Sequence, residues 1–202
     1  MEKNARLVVL ISGNGSNLQA VLDACQDGTL PASVVAVVSD QVDAYGLTRA
    51  RGAGVPAIPL IREPAEERGA YDARLAEEVS RHDPDYVILA GWMRLLTAVF
   101  LDCFPGQVIN LHPALPGTFP GTHAIQRAYT AHQRGEIEHT GIMVHLVPDE
   151  GVDNGPVLAI QKVFFREGET LEEFEGRMHT EEHHLLVNTL RNLFNGEDSI
   201  TI

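Results

Sequence analysis

The sequence is poor in cysteine and has no long apolar run. Its two cysteines, Cys25 and Cys103, lie far apart and outside any C-x-x-C spacing, which argues against a disulfide framework and a cysteine-based zinc site. No uninterrupted apolar stretch approaches the ~20 residues that a membrane-spanning helix needs. The N-terminal stretch also lacks a small-residue cleavage site. We therefore expect a cytoplasmic protein with no membrane partner.

Positive charge is scarce as well. The chain has 15 Lys and Arg against 28 Asp and Glu, which gives a formal net charge of −13. Proteins that hold nucleic acid cluster Lys and Arg along its phosphates, and no such cluster is present, so we expect no nucleic-acid partner. An anionic small molecule would have to be bound by local groups against the overall field.

The apolar segments that are present alternate with amphipathic stretches. The runs RLVVLIS, SVVAVVS, YVILAG and QVINLH predict strands buried on both faces of a parallel sheet. Two later runs, GIMVHLVP and PVLAIQKVFF, predict an antiparallel addition. The expected fold class is α/β: a Rossmann-like open sheet, mostly parallel, with helices on both faces. A chain of 202 residues fits one such domain.

Helices are predicted between these strands and at the C-terminal end of the chain. Two begin with capping-box patterns, SNLQ at Ser16 and TLEE at Thr170, and are expected to end near Gln26 and Phe194. The remaining predicted helices cover about 44–54, 71–82 and 123–134.

The turn SGNGSNLQA follows the first apolar run. A strand that enters a helix through such a turn leaves backbone N–H groups at the helix start, and these favour an anion. Gly13 and Gly15 permit positive φ, and Ser16 and Asn17 add side-chain donors. These donors predict a phosphate site. The turn lacks the G-K-S/T ending of a P-loop, and Leu18 replaces the third glycine of G-x-G-x-x-G, which argues against an NTPase or a dinucleotide-binding protein. The alternative is a tight turn in which Ser16 only caps the helix.

The motif INLHP offers a second group of functional side chains. Asn110 and His112 lie two residues apart at the end of a predicted strand, so both side chains point to one face. In open α/β sheets ligands bind beyond the carboxyl ends of the strands, which is where this pair lies. A carboxamide can stabilise an oxyanion and an imidazole can move protons, which suits transfer at a carbonyl. The alternative is a structural Asn–His pair.

An acidic loop, PDEGVDNGP, follows the strand that contains VHLV. It contains Asp149, Glu150 and Asp153, and we expect one of these carboxylates to pair with an imidazole and raise its pKa. No Ser, Cys or Lys lies with these residues as an obvious nucleophile, which favours direct transfer. The alternative is a solvated acidic loop.

Four motifs, spread in order over essentially the whole chain, resemble one known family. LISGNGSNLQA, LAGWMRLL, INLHPALPGTFPGTH and VHLVPDEGVDNGPV resemble the folate-dependent phosphoribosylglycinamide formyltransferases of de novo purine biosynthesis. The resemblance implies that the amine of 5'-phosphoribosylglycinamide attacks the formyl carbon of 10-formyltetrahydrofolate, without a metal. It implies small-molecule substrates and a monomer or homodimer. It also implies one formyltransferase domain over 1–202, with a phosphate-binding part at about 1–100 and a catalytic and folate-binding part at about 101–202.

The resemblance assigns catalytic roles to three residues. Asn110 would hold the oxyanion, His112 would supply the proton for departure of the folate nitrogen, and Asp153 would orient and charge the system. The longer PDEGVD loop, compared with the commoner form of the family, leaves Asp149 as a rival to Asp153. The residues implied to bind the ribonucleotide are Gly15, Ser16 and Asn17, through its phosphate, and Glu182.

The resemblance also places the folate. The residues implied to contact it are Arg68, Met93, Arg94, Leu95, Leu96, Asp149 and Glu150. The loop ALPGTFPG departs from the Leu-Leu-Pro-Lys form of many members, so a basic contact from that loop is not expected.

The other histidines have less specific interpretations. His179 and His183 lie four residues apart on a predicted helix, but Thr180 stands where the H-E-x-x-H metal motif needs Glu. His145, on an apolar strand, is predicted to be a hydrogen-bonded core residue. His123 is expected to open a helix, either close to substrate or as a cap.

Three other functions remain as alternatives. Methionyl-tRNA formyltransferase and formyltetrahydrofolate hydrolase share an Asn-x-His centre, but they usually carry a further domain and are not expected to show GNGSN. A nucleotide-binding module without catalysis would use the phosphate turn alone. The joint presence of Asn110, His112 and Asp153 argues against that module.

Overall fold

A seven-stranded sheet forms the middle layer of the protein, and the computed structural model describes residues 4–196. The strand order is β3-β2-β1-β4-β5-β6-β7; β1 to β5 pair in parallel, and β6 and β7 are added antiparallel. This confirms the predicted α/β fold class with its antiparallel addition. The strands are β1 (Ala5–Ile11), β2 (Ala32–Ser39), β3 (Ala57–Pro59), β4 (Tyr86–Leu89), β5 (Val108–His112), β6 (His139–Leu146) and β7 (Val157–Phe164).

The predicted helices are all present, with ends shifted by up to three residues. Strand β3 and the four-residue helix α4 were not predicted. The helices are α1 (Ser16–Gln26), α2 (Tyr45–Gly52), α3 (Arg68–Ser80), α4 (Ala98–Leu101), α5 (Ala124–Gln133) and α6 (Leu171–Phe194).

Alternate residues of β1 face two separate hydrophobic cores. Leu7, Val9 and Ile11 belong to the core that α1, α2, α5 and α6 cover. Val8 and Leu10 belong to the core that α3 and α4 cover. Because successive strand side chains point to opposite faces, a continuous apolar strand requires helices on both faces, as the sequence predicts.

The two predicted capping boxes have different outcomes. At Thr170 both hydrogen bonds of the box form with Glu173, which confirms the start of α6. At the start of α1 the prediction is wrong, because Gly15 takes the N-cap position in the left-handed conformation, with φ 73° and no side-chain cap. Ser16 is the first helical residue, so its hydroxyl does not serve as the cap.

The carboxyl ends of β1, β4 and β5 meet at one end of the sheet. Ser12 ties β1 to β4 there: its N–H donates to the Gly91 carbonyl, and its Oγ accepts from the Met93 N–H. The predicted phosphate turn follows β1, the predicted folate segment follows β4, and Asn110 and His112 end β5. The parallel topology therefore brings these three segments together at one end of the sheet. Within 4–196, no helix combines the length and the apolar character needed to cross a bilayer.

Candidate active site

Asp153 connects the residues at the end of β5. Nδ2 of Asn110 donates to Asp153 Oδ1 at 3.1 Å, and Nδ1 of His112 lies 3.3 Å from Asp153 Oδ2. The N–H of Gly121 donates to the same carboxylate at 2.8 Å. Asp149 instead accepts from the N–H of Gly151 within its own loop. Asn110, His112 and Asp153 thus contact one another, and Asp149, the alternative carboxylate, is not part of this group.

The histidine of β6 completes this cluster. Asn110 and His145 are direct cross-strand partners, and the Asn110 amide nitrogen lies 3.1 Å from His145 Nε2. His145 Nδ1 lies 2.8 Å from the Leu146 carbonyl, so Nδ1 carries the proton and Nε2 accepts from Asn110 in the neutral ring. Both amide hydrogens of Asn110 are therefore engaged, one by Asp153 and one by His145.

His145 is buried and hydrogen-bonded, as its position on an apolar strand predicts. Its contact with Asn110 was not predicted. The sequence indicates that β5 and β6 are neighbours in the sheet. It does not indicate that Asn110 lies opposite His145, because the register of the two strands depends on the course of the long segment between them.

The imidazole of His112 experiences opposing effects. Its Nε2 lies 3.2 Å from the Phe119 carbonyl and its Nδ1 faces Asp153, and both acceptors favour the cation. Burial favours the neutral ring and is the larger effect, so the pKa of His112 is lowered from 6.5. The predicted pairing with a carboxylate is present, and Asp153 does act to raise this pKa, but burial lowers it by more, so the expected net rise is wrong. His112 is mainly neutral near pH 7.

The Asp153 carboxyl is held in its ionised form. Burial raises its pKa, but His145 and His112 in their protonated forms, together with the Gly121 N–H, outweigh burial and lower it. Asp153 also has φ 51°, a left-handed conformation that Asp tolerates better than most residues. A negative charge thus stays within the cluster, next to a ring that can become positive.

The predicted phosphate turn leads into α1, whose first turn has no side-chain cap. Gly15 has a positive φ as expected, but Gly13 does not. The first N–H groups of α1 have no intrahelical acceptor, and the Ser16 side chain does not cap them. Asn17 is 9% exposed, and its Oδ1 has no hydrogen-bond partner among residues 4–196. The turn therefore retains unused polar groups, contrary to the alternative in which Ser16 caps α1.

The segment predicted to contact folate lies between α3 and the acidic loop. Met93 and Leu95 expose large apolar side chains, and Arg68 Nη2 donates to the Leu95 carbonyl at 3.1 Å. Leu96, in contrast, is buried in the core beneath α3. A ligand at this segment would therefore meet the side chains of Met93 and Leu95 but only the backbone of Leu96.

Arg94 and Glu150 of the predicted folate group have protein partners. Arg94 Nη1 lies 3.7 Å from an oxygen of the buried Asp40, and its guanidinium lies over the Tyr71 ring. Glu150 Oε1 accepts from the Ala98 N–H at 2.9 Å, which ties the acidic loop to the start of α4. Both side chains thus make contacts within the protein that help to hold the predicted folate segment in place.

Glu182 is buried on α6, which packs beside α1. His179 Nδ1 lies 2.6 Å from the Glu182 carboxylate, and this hydrogen bond raises the pKa of His179. His179 therefore pairs with Glu182 and not with His183 in a metal face. No group of three His, Cys, Asp or Glu side chains within the described range is placed to hold a metal ion.

Comparison with known proteins decides the family. A family model described as formyl transferase matches residues 5–190. Phosphoribosylglycinamide formyltransferase of Schizosaccharomyces pombe is 44% identical over 201 residues, 94% of this chain and 97% of that protein. This chain belongs to the phosphoribosylglycinamide formyltransferase family. It is a formyl-transferring enzyme.

Further members agree in sequence and structure. Phosphoribosylglycinamide formyltransferase of Escherichia coli is 43% identical, covering 88% of this chain and 81% of that protein. Glycinamide ribonucleotide transformylase 1 from Symbiobacterium toebii has a TM-score of 0.89 at 41% identity, covering 97% of this chain and 90% of that one. The formyltransferase fold is thus shared over nearly the whole described chain.

The sequence interpretation missed the backbone groups that complete the cluster. The Phe119 carbonyl and the Gly121 N–H come from the proline-rich loop after β5 and contact His112 and Asp153. Phe119 has φ 46° and Gly121 φ 77°, so the loop turns its backbone towards the cluster. His123, also with a positive φ, takes the N-cap position of α5 without a side-chain cap. A glycine and proline pattern signals a turn but not which backbone group it presents.

Proposed function

We propose that Asn110, His112 and Asp153 catalyse the transfer of the formyl group of 10-formyltetrahydrofolate to the amine of 5'-phosphoribosylglycinamide, in de novo purine biosynthesis. The observation that carries the proposal is the single carboxylate of Asp153 in contact with both Asn110 and His112. An amide donor, a proton carrier and a fixed negative charge are the groups that an acyl transfer needs.

Attack of the amine on the formyl carbon forms a C–N bond and moves the carbonyl electron pair onto oxygen. Asn110 stabilises this oxyanion through an amide hydrogen. Because Asp153 and His145 hold both amide hydrogens before substrate binds, the oxyanion replaces one of these acceptors. The acceptor that remains keeps the Asn110 amide oriented while the freed hydrogen bonds to the oxyanion.

His112 acts first as a base in this scheme. Its lowered pKa leaves it neutral, so it accepts the proton that the attacking nitrogen loses. The resulting imidazolium faces Asp153 Oδ2, which stabilises its charge. His112 then gives the proton to the folate nitrogen as the bond to the formyl carbon breaks, leaving tetrahydrofolate and formylglycinamide ribonucleotide. Proton donation to the folate nitrogen is the role that the family resemblance implies.

The ribonucleotide phosphate binds at the turn of Gly15, Ser16 and Asn17, and Glu182 contacts the same substrate. The uncapped start of α1 supports the phosphate assignment, because its free backbone N–H groups favour an anion. The folate lies along 93–96 between Arg68 and the acidic loop, supported by the exposed apolar side chains there.

The proposal also covers the substrates, the cellular compartment and the oligomeric state. The enzyme works on small molecules in the cytoplasm, without nucleic acid, as a monomer or homodimer. The net charge of −13 supports the absence of a nucleic-acid partner. The division into a phosphate-binding part at about 1–100 and a catalytic part at about 101–202 agrees with the positions of Asn17 and Asp153, but the folate site draws on both parts.

The direct test is folate-product absorbance with 10-formyltetrahydrofolate, in the presence and absence of 5'-phosphoribosylglycinamide. We expect product only with the ribonucleotide, and a loss of ~10²-fold or more in kcat for His112→Ala. His184→Ala, which removes an exposed imidazole of α6, is the matched control and should retain normal kcat. Product without the ribonucleotide would indicate a hydrolase. Absence of product from the folded protein would favour the non-catalytic module.

A further inference from the structure

Arg49 of α2 forms hydrogen bonds with the proposed phosphate turn. Its Nε donates to the Asn14 carbonyl at 2.9 Å, and its Nη2 donates to Asn14 Oδ1 at 3.0 Å. Its Nη1 donates to Gln19 Oε1 on α1 at 3.2 Å. The guanidinium also lies 4.8 Å from the centre of the Tyr45 ring. The planar fork of Arg thus spans the turn and the first part of α1, a geometry that Lys does not reproduce.

The backbone of α2 also lies directly against this turn. The Gly46 N–H donates to the Gly13 carbonyl at 3.1 Å. A Cβ at Gly15 would lie 2.7 Å from the Gly46 Cα, so two glycines are needed for the close approach. The turn is therefore supported along one side by α2, through backbone contacts at Gly46 and side-chain contacts at Arg49.

We propose that Arg49 is a positioning residue for substrate binding: it holds the turn in the conformation that receives the phosphate of the ribonucleotide. The inference rests on the proposed phosphate site at Gly15, Ser16 and Asn17. All three of its hydrogen bonds go to Asn14 and Gln19, so it acts on the ligand through the turn.

The test compares Arg49→Gln, Arg49→Lys and the control Arg51→Gln, which removes an equal charge from an exposed position on the same helix. The measured quantities are kcat and KM for 5'-phosphoribosylglycinamide and for the ribonucleoside that lacks its phosphate. For Arg49→Gln we expect KM for the ribonucleotide to rise about tenfold or more, with kcat, KM for the folate and activity on the ribonucleoside nearly unchanged. Arg49→Lys should behave like Arg49→Gln, and Arg51→Gln like the wild type.

The outcomes separate this inference from the phosphate assignment on which it rests. If the wild type does not prefer the ribonucleotide over the ribonucleoside, the phosphate site itself is wrong and the role of Arg49 falls with it. If the wild type prefers the ribonucleotide and Arg49→Gln retains the full preference, only the role of Arg49 is wrong. Full restoration by Arg49→Lys would show that charge alone is required, which would also overturn the positioning role.

Discussion

The proposed phosphate turn after β1 and the proposed catalytic cluster after β5 lie at the same end of the sheet but are built differently. The turn offers backbone N–H groups at a helix start, and the side chain that supports it, Arg49, donates to exposed oxygens of Asn14. The cluster packs two buried imidazoles against a partly exposed carboxamide and a partly exposed carboxylate. If the proposed assignments hold, substrate binding depends on local backbone conformation, whereas catalysis depends on a balance between burial and charge.

This difference determines how each region responds to change. At the turn, the loss of one donor leaves the others in place, so effects should be moderate and confined to ribonucleotide affinity. In the cluster, each group is the partner of at least one other, so the loss of one member alters the protonation and orientation of the rest. Substitutions at the two regions should differ in size and in the kinetic constant that they change.

The largest effect is expected at Asp153. Asp153→Asn keeps the shape of the side chain but removes the charge that stabilises the His112 imidazolium, and its amide would oppose the Asn110 donor. We expect kcat to fall by ~10²-fold to 10⁴-fold with little change in KM for the ribonucleotide. Steady-state kinetics with Asp149→Asn as the control checks this. A kcat near that of the wild type in the folded variant would remove Asp153 from the mechanism.

The protonation of His112 sharpens the comparison. Because its pKa is lowered by burial and partly restored by Asp153, the ring should titrate below pH 6.5, and in Asp153→Asn it should titrate lower still. Activity needs the neutral ring, so kcat/KM should fall as pH decreases through this pKa. An NMR titration of the His112 ring in both proteins measures the shift directly. A pKa above 6.5 in the wild type would contradict the balance described here.

A smaller effect is expected at the turn. Asn17→Ala removes a nearly buried side chain whose amide N–H groups are proposed donors to the phosphate, and we expect KM for the ribonucleotide to rise about tenfold with kcat nearly unchanged. Gln26→Ala removes a side-chain amide from the exposed opposite end of α1 and serves as the control. The phosphate assignment would be contradicted if Asn17→Ala lowered kcat and left the affinity for the ribonucleotide intact.

The smallest effect is expected where the acidic loop meets α4. Glu150→Ala removes the acceptor of the Ala98 N–H, an exposed hydrogen bond worth roughly 1 kcal/mol. KM for the folate should rise a few-fold, with the ribonucleotide unaffected. Glu150→Gln keeps a side-chain acceptor and should recover most of the affinity. Equal folate KM values for all three proteins would mean that this contact does not order the folate segment.

The two regions also differ in how far the sequence predicts them. The position of the turn follows from contiguous residues, although Gly15 and not Ser16 takes the N-cap, because a left-handed glycine can end the turn without a side chain. The cluster joins residues such as Asn110 and Asp153 from distant parts of the chain. The motifs indicate its members, but the contact of His145 depends on the register of β5 with β6, and the pKa of His112 depends on burial.

The short elements of the fold are also poorly predicted by the sequence. The long apolar strands predict the sheet and its antiparallel addition, because buried strands leave apolar runs that are easily recognised in the sequence. β3 has three residues and ends in proline at the sheet edge, and α4 has four. Such elements form because neighbouring segments hold them, so their own residues contain little signal.

The central claim is that His112 and Asp153 act as one catalytic unit. A double-mutant cycle on kcat, with His112→Ala, Asp153→Asn and the double variant, tests it most directly. If the two residues work through each other, the double variant should be about as slow as the slower single variant. If the two single losses instead multiply in the double variant, the residues act independently, and the account of a shared cluster is wrong.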